Sequence, residues 1–302
     1  MKPINGEKDT YFIYGGMTER SKAFVKCLEG YTAENYVCVL SKIERPNRTI
    51  PAYDYPAENI KRLMHIDQGI LQSLYNKLQN GDSVTIDLNS IDREYGLNLA
   101  RMLFLRGQQL QVRFVYLSSE EDSEPEDIAY TKPEQLLLSP GSPNFGESNF
   151  ILIATGTQTD AVRRILDVYR PTRLYLGTAE GVNVEPMVKE AKSMMACYKN
   201  DPEASIFTFN TVANNPIELC RSIDSLVGPC ESIKLATVAS AMSAIGIALY
   251  SARSGVKVQI EYCIPEIPFE KELDGMCVCH EYIYDPSNLA DGVYNEEIVI
   301  LK

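Results

Sequence analysis

The chain alternates short apolar runs with polar turns and helical patterns, and it repeats this order in its two halves. The apolar run at residues 11–14 leads through a small-residue turn into a helix, and residues 150–153 do the same. The apolar runs at 84–88 and 233–237 form a second such pair, and both offsets are about 140 to 150 residues. Strands that alternate with helices are typical of parallel sheets. The pattern predicts an α/β fold of two tandem Rossmann-like halves with mainly parallel sheets, related by a pseudo-twofold axis.

Composition places a domain boundary near the middle of the chain. Its 302 residues suit two domains of about 150 residues each. Residues 139–148 are rich in Ser, Pro and Gly, as linkers are. We therefore predict an N-terminal half at 1–138 and a C-terminal half at 149–302. The tail beyond Pro265 alternates apolar runs with turns and predicts a small β extension of the C-terminal half.

One long helix is predicted from Ala57 to Leu78. Apolar residues such as Ile60, Leu63 and Leu74 recur there at helical spacing. The pair Asn80-Gly81 is suited to ending a helix, because both residues tolerate a left-handed backbone.

The turns that follow the first strand of each half are candidate ligand sites. Ligands of open α/β sheets bind beyond the carboxyl ends of the strands. These turns contain Gly15, Gly16, Met17 and Thr18 in the first half, and Gly156, Thr157, Gln158 and Thr159 in the second. Glycine allows close backbone approach to a ligand, and a helix start offers free N–H groups to an anion. Thr18 and Thr159 are equally explained as N-caps, with the glycines relieving a tight turn.

A second pair of turns adds charge to these candidate sites. A carboxylate at the end of a strand can meet a ribose hydroxyl, and an arginine can meet a phosphate. On this basis we expect ligand contacts from Asp87, Asn89, Arg93 and, in the second half, Ser240. An internal ion network of Asp92, Arg93 and Glu94 beside a helix cap explains the same charges without a ligand.

Other sequence features restrict the class of protein. The net charge of −12 disfavours binding to duplex nucleic acid, which needs an excess of Lys and Arg. Eight cysteines without framework-like spacing predict reduced thiols and a cytoplasmic location. Residues 1–9 lack the apolar core of a signal peptide, and long apolar runs are missing, so we expect no membrane association.

Motifs for cofactors and metals are weak. The chain has neither a Walker lysine nor Gly-x-Gly-x-x-Gly, and we expect no cofactor. The run Cys277-Val278-Cys279-His280 could supply two or three metal ligands. Strand alternation would put Cys277 and Cys279 on one face and His280 on the other. Packing cysteines are therefore favoured, and no metal site is expected.

The second half resembles the CRISPR-associated Rossmann-fold (CARF) sensor domains. The resemblance rests on the turn Ala154–Thr159 with the following segment Tyr169–Leu176, and on the late unit Ile233–Tyr262. It implies two Rossmann-like units that bind a nucleotide second messenger, here within one polypeptide. The late turn of such domains usually carries a Gly-Gly-Thr-Lys-like sequence, and here it reads Thr237–Met242.

Three functions follow from these features. The leading hypothesis is a non-catalytic sensor or scaffold of a bacterial antiviral defence or stress system, binding a nucleotide-like ligand between the halves. The second is a hydrolase that cleaves a nucleotide or N-glycosidic bond with Asp87, Asp92 or Glu94 as acid, base or nucleophile. The third is a protein–protein interaction module that uses the acidic segment 120–127 or the tail beyond Pro265.

Overall fold

The fold is taken from a computed structural model of the chain. It describes the following residues: 1–2, 4, 8–15, 24, 27–28, 31–39, 60–63, 68–91, 93–105, 110–119, 129–131, 133–135, 149–212, 214–227, 233–254, 258–263, 275–284, 286 and 292–301.

The first sheet is built from strands at both ends of the chain. Its strands are β1 (Asp9–Tyr14), β2 (Ala33–Val39), β3 (Ile60–Leu63), β4 (Ser83–Asp87), β5 (Gln111–Ser119), β12 (Gly275–Tyr284) and β13 (Val293–Leu301). They lie in the order β13-β12-β5-β4-β1-β2-β3. The helices of this unit whose bounds are described are α1 (Gln68–Lys77) and α2 (Arg93–Leu105).

The second sheet comes from the middle of the chain. Its strands are β6 (Glu134–Gln135), β7 (Asn149–Ile153), β8 (Arg173–Ala179), β9 (Ile206–Thr211), β10 (Ile233–Thr237) and β11 (Val258–Tyr262). They lie in the order β6-β11-β10-β7-β8-β9. Its helices are α3 (Thr159–Tyr169), α4 (Glu185–Met195), α5 (Pro216–Leu226) and α6 (Ala241–Arg253).

Five strands of each sheet are parallel and share one order. In the first sheet this order is β3-β2-β1-β4-β5, and in the second it is β9-β8-β7-β10-β11. Both are the order 3-2-1-4-5 of a doubly wound sheet. The mixed α/β fold with parallel-rich sheets is therefore confirmed.

The C-terminal tail belongs to the first sheet and not to the second. The chain divides into one compact unit of Met1–Asp122 with Glu270–Lys302 and another of Ser123–Phe269. Strand β12 pairs antiparallel with β5, and β13 pairs antiparallel with β12. The expected extension is an antiparallel hairpin, but its place in a C-terminal half at 149–302 is wrong. Its backbone groups are satisfied by the free edge of β5, which the local sequence pattern does not reveal.

The second unit begins earlier than the sequence pattern indicated. Strand β6 pairs antiparallel with β11, so residues 134–135 belong to the second sheet. The N-terminal half predicted at 1–138 therefore contains residues of the second unit. The predicted boundary at 139–148 lies outside the described residues.

The long helix predicted from Ala57 to Leu78 is wrong. Ile60–Leu63 form β3, which pairs in parallel with β2, and the helix α1 covers only Gln68–Lys77. A short apolar run fits a buried strand as well as a helix, and periodicity alone does not separate them. Residues 60–63 form a strand here because the edge of β2 supplies hydrogen-bond partners for their backbone.

Each unit has its own apolar core. In the first, Phe12, Tyr31, Tyr36 and Leu117 pack on one face of the sheet. In the second, a cluster that includes Phe150 fills the space under α3 and α4. Among the described helices, none is both long and apolar enough to cross a lipid bilayer.

Candidate functional site

The strand order places a topological switch point in each sheet. It lies between β1 and β4 in the first sheet and between β7 and β10 in the second, where the strand order reverses. Ligands of doubly wound sheets bind beyond the carboxyl ends of the strands at such points. The residues that follow these four strands are therefore the candidate site residues of each unit.

Asp87 is the last residue of β4 and is completely buried, with 0% of its surface exposed. Its Oδ1 atom accepts hydrogen bonds from the backbone N–H of Asn89 at 2.9 Å and from Asn89 Nδ2 at 2.7 Å. Its Oδ2 atom has no hydrogen-bond partner among the described residues. A buried carboxylate oxygen without a partner costs stability, so it identifies this strand end as a candidate polar site.

Burial also changes the acidity of this group. Removal from water raises the pKa of Asp87 from its ordinary 3.8 to about 6, because the charged form loses solvation. The polar groups of Ser90 and Asn89 act in the opposite direction and limit the rise. The carboxyl of Asp87 therefore gains or loses its proton at a pH closer to neutral than an ordinary aspartate does.

A tight turn after β4 holds Asp87 in place. The hydroxyl of Ser90 donates to the Asp87 carbonyl oxygen at 3.1 Å. Asn89 Oδ1 accepts the backbone N–H of Leu117 at 2.7 Å, which ties the turn to β5. Asp and Asn favour such side-chain-to-backbone turns, which explains why this sequence leaves the strand here.

Position 15 needs a glycine because the turn that follows β4 lies very close to its backbone. Its backbone N–H donates to Ser90 Oγ at 2.7 Å, and a Cβ atom at Gly15 would lie 2.0 Å from the Ser90 carbonyl oxygen. The glycine thus lets the β1 and β4 turns approach each other across the switch point. Ser90 was missed as a site residue, although its place three residues after Asp87 is a common turn signal.

The equivalent turn of the second unit is closed by its own side chains. Gly156 has a φ of +106°, and a Cβ atom there would lie 2.3 Å from Val182 Cγ1. Gln158 is buried, its Oε1 accepts the backbone N–H of Thr155 at 2.9 Å, and its Nε2 donates to the Thr155 hydroxyl. Thr157 is half-buried, and its carbonyl oxygen accepts the N–H of Thr159.

The helix starts differ between the two turns of the second unit. Helix α3 begins at Thr159, and the preceding Gln158 makes no side-chain cap, so Thr159 is not an N-cap. Helix α6 is capped by Ser240, whose Oγ accepts the N–H of Ser243 at 3.2 Å. Ser240 therefore has a structural role that the capping principle alone explains.

The remaining predicted residues are placed as follows. Arg93 and Glu94 are the first residues of α2 and are half-buried. Gly16, Met17, Thr18 and Asp92 lie outside the described residues.

The cysteine-rich segment lies within strand β12. Cys277 pairs with Ser119 and Cys279 with Leu117, whereas His280 lies opposite Tyr116 and faces the other side of β12. The predicted alternation is thus confirmed. In the described part of the chain, no three His, Cys, Asp or Glu residues come together as metal ligands.

Comparisons with protein-family models, with curated proteins and with solved structures found no significant match.

Proposed function

We propose that this chain is a sensor or scaffold that binds a nucleotide-like small ligand at the carboxyl ends of its parallel strands. The two units are inferred to be duplicated Rossmann-like modules, and their common strand order supports this inference. The resemblance of the second half to CARF domains favours a nucleotide second messenger and a role in bacterial defence.

The proposal is carried by the buried Oδ2 of Asp87 at the switch point of the first sheet, which has no hydrogen-bond partner in the described part of the chain. In dinucleotide-binding sheets of this kind, an Asp or Glu about 20 residues after the glycine-rich turn accepts a hydrogen bond from a ribose hydroxyl. Asp87 would take this role from the end of β4. A ribose hydroxyl on Asp87 would satisfy the buried oxygen, which gains more from a hydrogen bond than a solvated one does. The ligand would therefore carry a free ribose hydroxyl.

A thermal-shift screen tests this function. A ligand that binds only the folded protein raises the melting temperature by mass action. We expect ribonucleotides or cyclic oligoribonucleotides to raise it, and the corresponding deoxyribonucleotides to raise it less. No shift with any of them at millimolar concentration would contradict the proposal.

A matched pair of variants assigns the site. Asp87→Asn removes the buried charge, and Glu34→Gln removes an exposed charge at the amino end of β2, where Glu34 pairs with Lys8 at 3.0 Å. We expect only Asp87→Asn to abolish the ligand-induced shift. An equal shift in Asp87→Asn and the wild type would refute the role of Asp87.

A hydrolase is the second candidate, and the raised pKa of Asp87 favours it. General acid–base catalysis works best when the pKa of the group lies near the working pH, and burial brings Asp87 to about 6. The prediction is that nucleotides or nucleosides incubated with the chain release a base or a phosphate, measured by chromatography. If the bound ligand is recovered intact after long incubation, the sensor is favoured over the hydrolase.

A further inference from the structure

A second polar cluster lies in the first unit, on three neighbouring antiparallel strands. Strand β12 lies between β5 and β13, with His280 directly opposite Tyr116 on one side and Glu296 on the other. Directly opposite residues of a sheet, and residues two apart on one strand, point to the same face. Ser118, on β5, and Tyr294, on β13, therefore share this face with His280.

Short contacts link a serine to a histidine, and the histidine to a tyrosine and a carboxylate. Ser118 Oγ lies 2.6 Å from His280 Nε2. On the other side of the ring, His280 Nδ1 lies 2.8 Å from the Tyr294 hydroxyl and 3.3 Å from Glu296 Oε1. The Tyr294 hydroxyl in turn donates to Glu296.

The hydrogen-bond donors determine where the imidazole carries its proton. A tyrosine hydroxyl has one hydrogen, and that of Tyr294 goes to Glu296, so its oxygen accepts the N–H of His280 Nδ1. In the neutral imidazole, Nε2 then carries the lone pair, and the Ser118 hydroxyl donates to it. Burial and the neighbouring Glu296 raise the pKa of Tyr294, which keeps its hydroxyl protonated.

The ring is also fixed in orientation. His280 is buried and lies between two tyrosine rings, with centroid distances of 6.2 Å to Tyr116 and 6.2 Å to Tyr294. The plane of the imidazole is inclined by 27° to the ring of Tyr116 and by 15° to the ring of Tyr294. A serine hydroxyl donates here to an oriented histidine, which is held by a tyrosine hydroxyl bonded to a carboxylate. An activated serine nucleophile has the same order of groups, with the carboxylate in direct contact with the histidine.

We propose that Ser118 is a nucleophile with His280 as its general base, in a site for carboxylic esters. Tyr294 and Glu296 are positioning residues that hold the tautomer of the ring. This site is independent of the Asp87 turn, because Asp87 lies opposite Val115 in the sheet and so faces away from Ser118.

The surface beside Ser118 indicates the kind of ester. Ser118 lies opposite Val278, and Val278 lies opposite Ile298, which is 67% exposed. The next pair on the same face, near the open end of the hairpin, is Met276 with Ile300. Ile300 is 70% exposed. An apolar strip next to the hydroxyl suits the hydrocarbon part of an ester with a medium-length chain.

The reaction follows from these positions. The Ser118 oxygen attacks the ester carbonyl carbon while its proton passes to His280 Nε2, and the ester C–O bond breaks as that proton moves to the leaving alcohol. Water then attacks the acyl-serine and gives a proton to His280, which returns it to Ser118. One ester and one water give one acid and one alcohol.

Labelling with an alkyl fluorophosphonate tests the site on the full chain. The Ser118 oxygen forms a bond to phosphorus, the P–F bond breaks, and the proton leaves with fluoride through His280. We expect tandem mass spectrometry to place the label on Ser118. The matched control is Ser119→Ala, since Ser119 is the next residue and faces the other side of the sheet. It should label like the wild type, whereas Ser118→Ala should not label.

Two further variants separate catalysis from a structural role. His280→Gln should slow labelling by about 100-fold or more, the usual contribution of a general base. Because His280 is buried and its replacement can unfold the protein, Glu296→Gln provides the second test. The Glu296 side chain is 53% exposed, so this variant should keep its melting temperature and label several-fold more slowly. A wild type that labels no faster than Ser118→Ala, or a Glu296→Gln variant that labels at the wild-type rate, would overturn the proposal.

Discussion

Asp87→Asn is expected to change how the stability of the protein depends on pH. Burial raises the pKa of Asp87 from 3.8 to about 6, so the folded protein binds this proton more tightly than the unfolded chain does. Protonation therefore stabilises the fold. This contribution is fully present below pH 3.8 and is lost as the pH rises through about 6.

The size of the effect follows from the two pKa values. The difference between 3.8 and about 6 corresponds to about 3 kcal/mol when protonation is complete. Between pH 8 and pH 5 the same two values give about 1.4 kcal/mol, because protonation of the folded state is then nearly complete while the unfolded chain is still ionised. Asparagine has nearly the same shape and does not titrate, so it lacks this term.

The measurement is urea denaturation of the wild type and Asp87→Asn at pH 5 and pH 8, followed by circular dichroism. Lowering the pH should stabilise the wild type by about 1.4 kcal/mol more than the variant. Glu34→Gln serves as the control for removal of an exposed negative charge, and it should follow the wild type. Equal pH responses of Asp87→Asn and the wild type would refute the account of Asp87 as a buried carboxyl with a raised pKa.

Three smaller predictions concern stability and are measured by thermal and urea denaturation. Gly15→Ala should destabilise the protein by about 1–3 kcal/mol, because its Cβ would lie 2.0 Å from the Ser90 carbonyl oxygen; a neutral effect would refute the close approach. Gly81→Ala should cost only about 1 kcal/mol, because no described atom beyond the chain neighbours lies within 4 Å of the added Cβ and only the φ of +90° opposes a side chain; a larger loss would contradict this. Tyr169→Phe should destabilise the second unit by about 1–3 kcal/mol, since it removes a hydrogen bond to the buried Glu261, and unchanged stability would count against that bond.

The candidate site was partly predictable from sequence. Gly15 is a candidate because glycine allows close backbone approach to a ligand, and Asp87 and Asn89 are candidates because polar and charged groups follow a strand there. Their partners were not predictable, since Gly15 contacts Ser90 across 75 positions of the chain. The Ser118–His280 contact spans 162 positions and depends on β12 pairing with β5, so no local signal in either segment indicates it.

By itself, the sequence determined the α/β class and many, though not all, of the local elements. The short, largely apolar segments at 84–88 and 233–237 contain the strands Ser83–Asp87 and Ile233–Thr237, whose residues are all buried, and each is followed by a segment with helical spacing of apolar residues. The tertiary structure alone decided which edges were filled. The tail joined β5, residues 60–63 joined β2, and residues 134–135 joined β11, in each case because an unpaired strand edge offered backbone partners. Local patterns specify that a segment can form a strand, but the partner of that strand is fixed by residues far away in the chain.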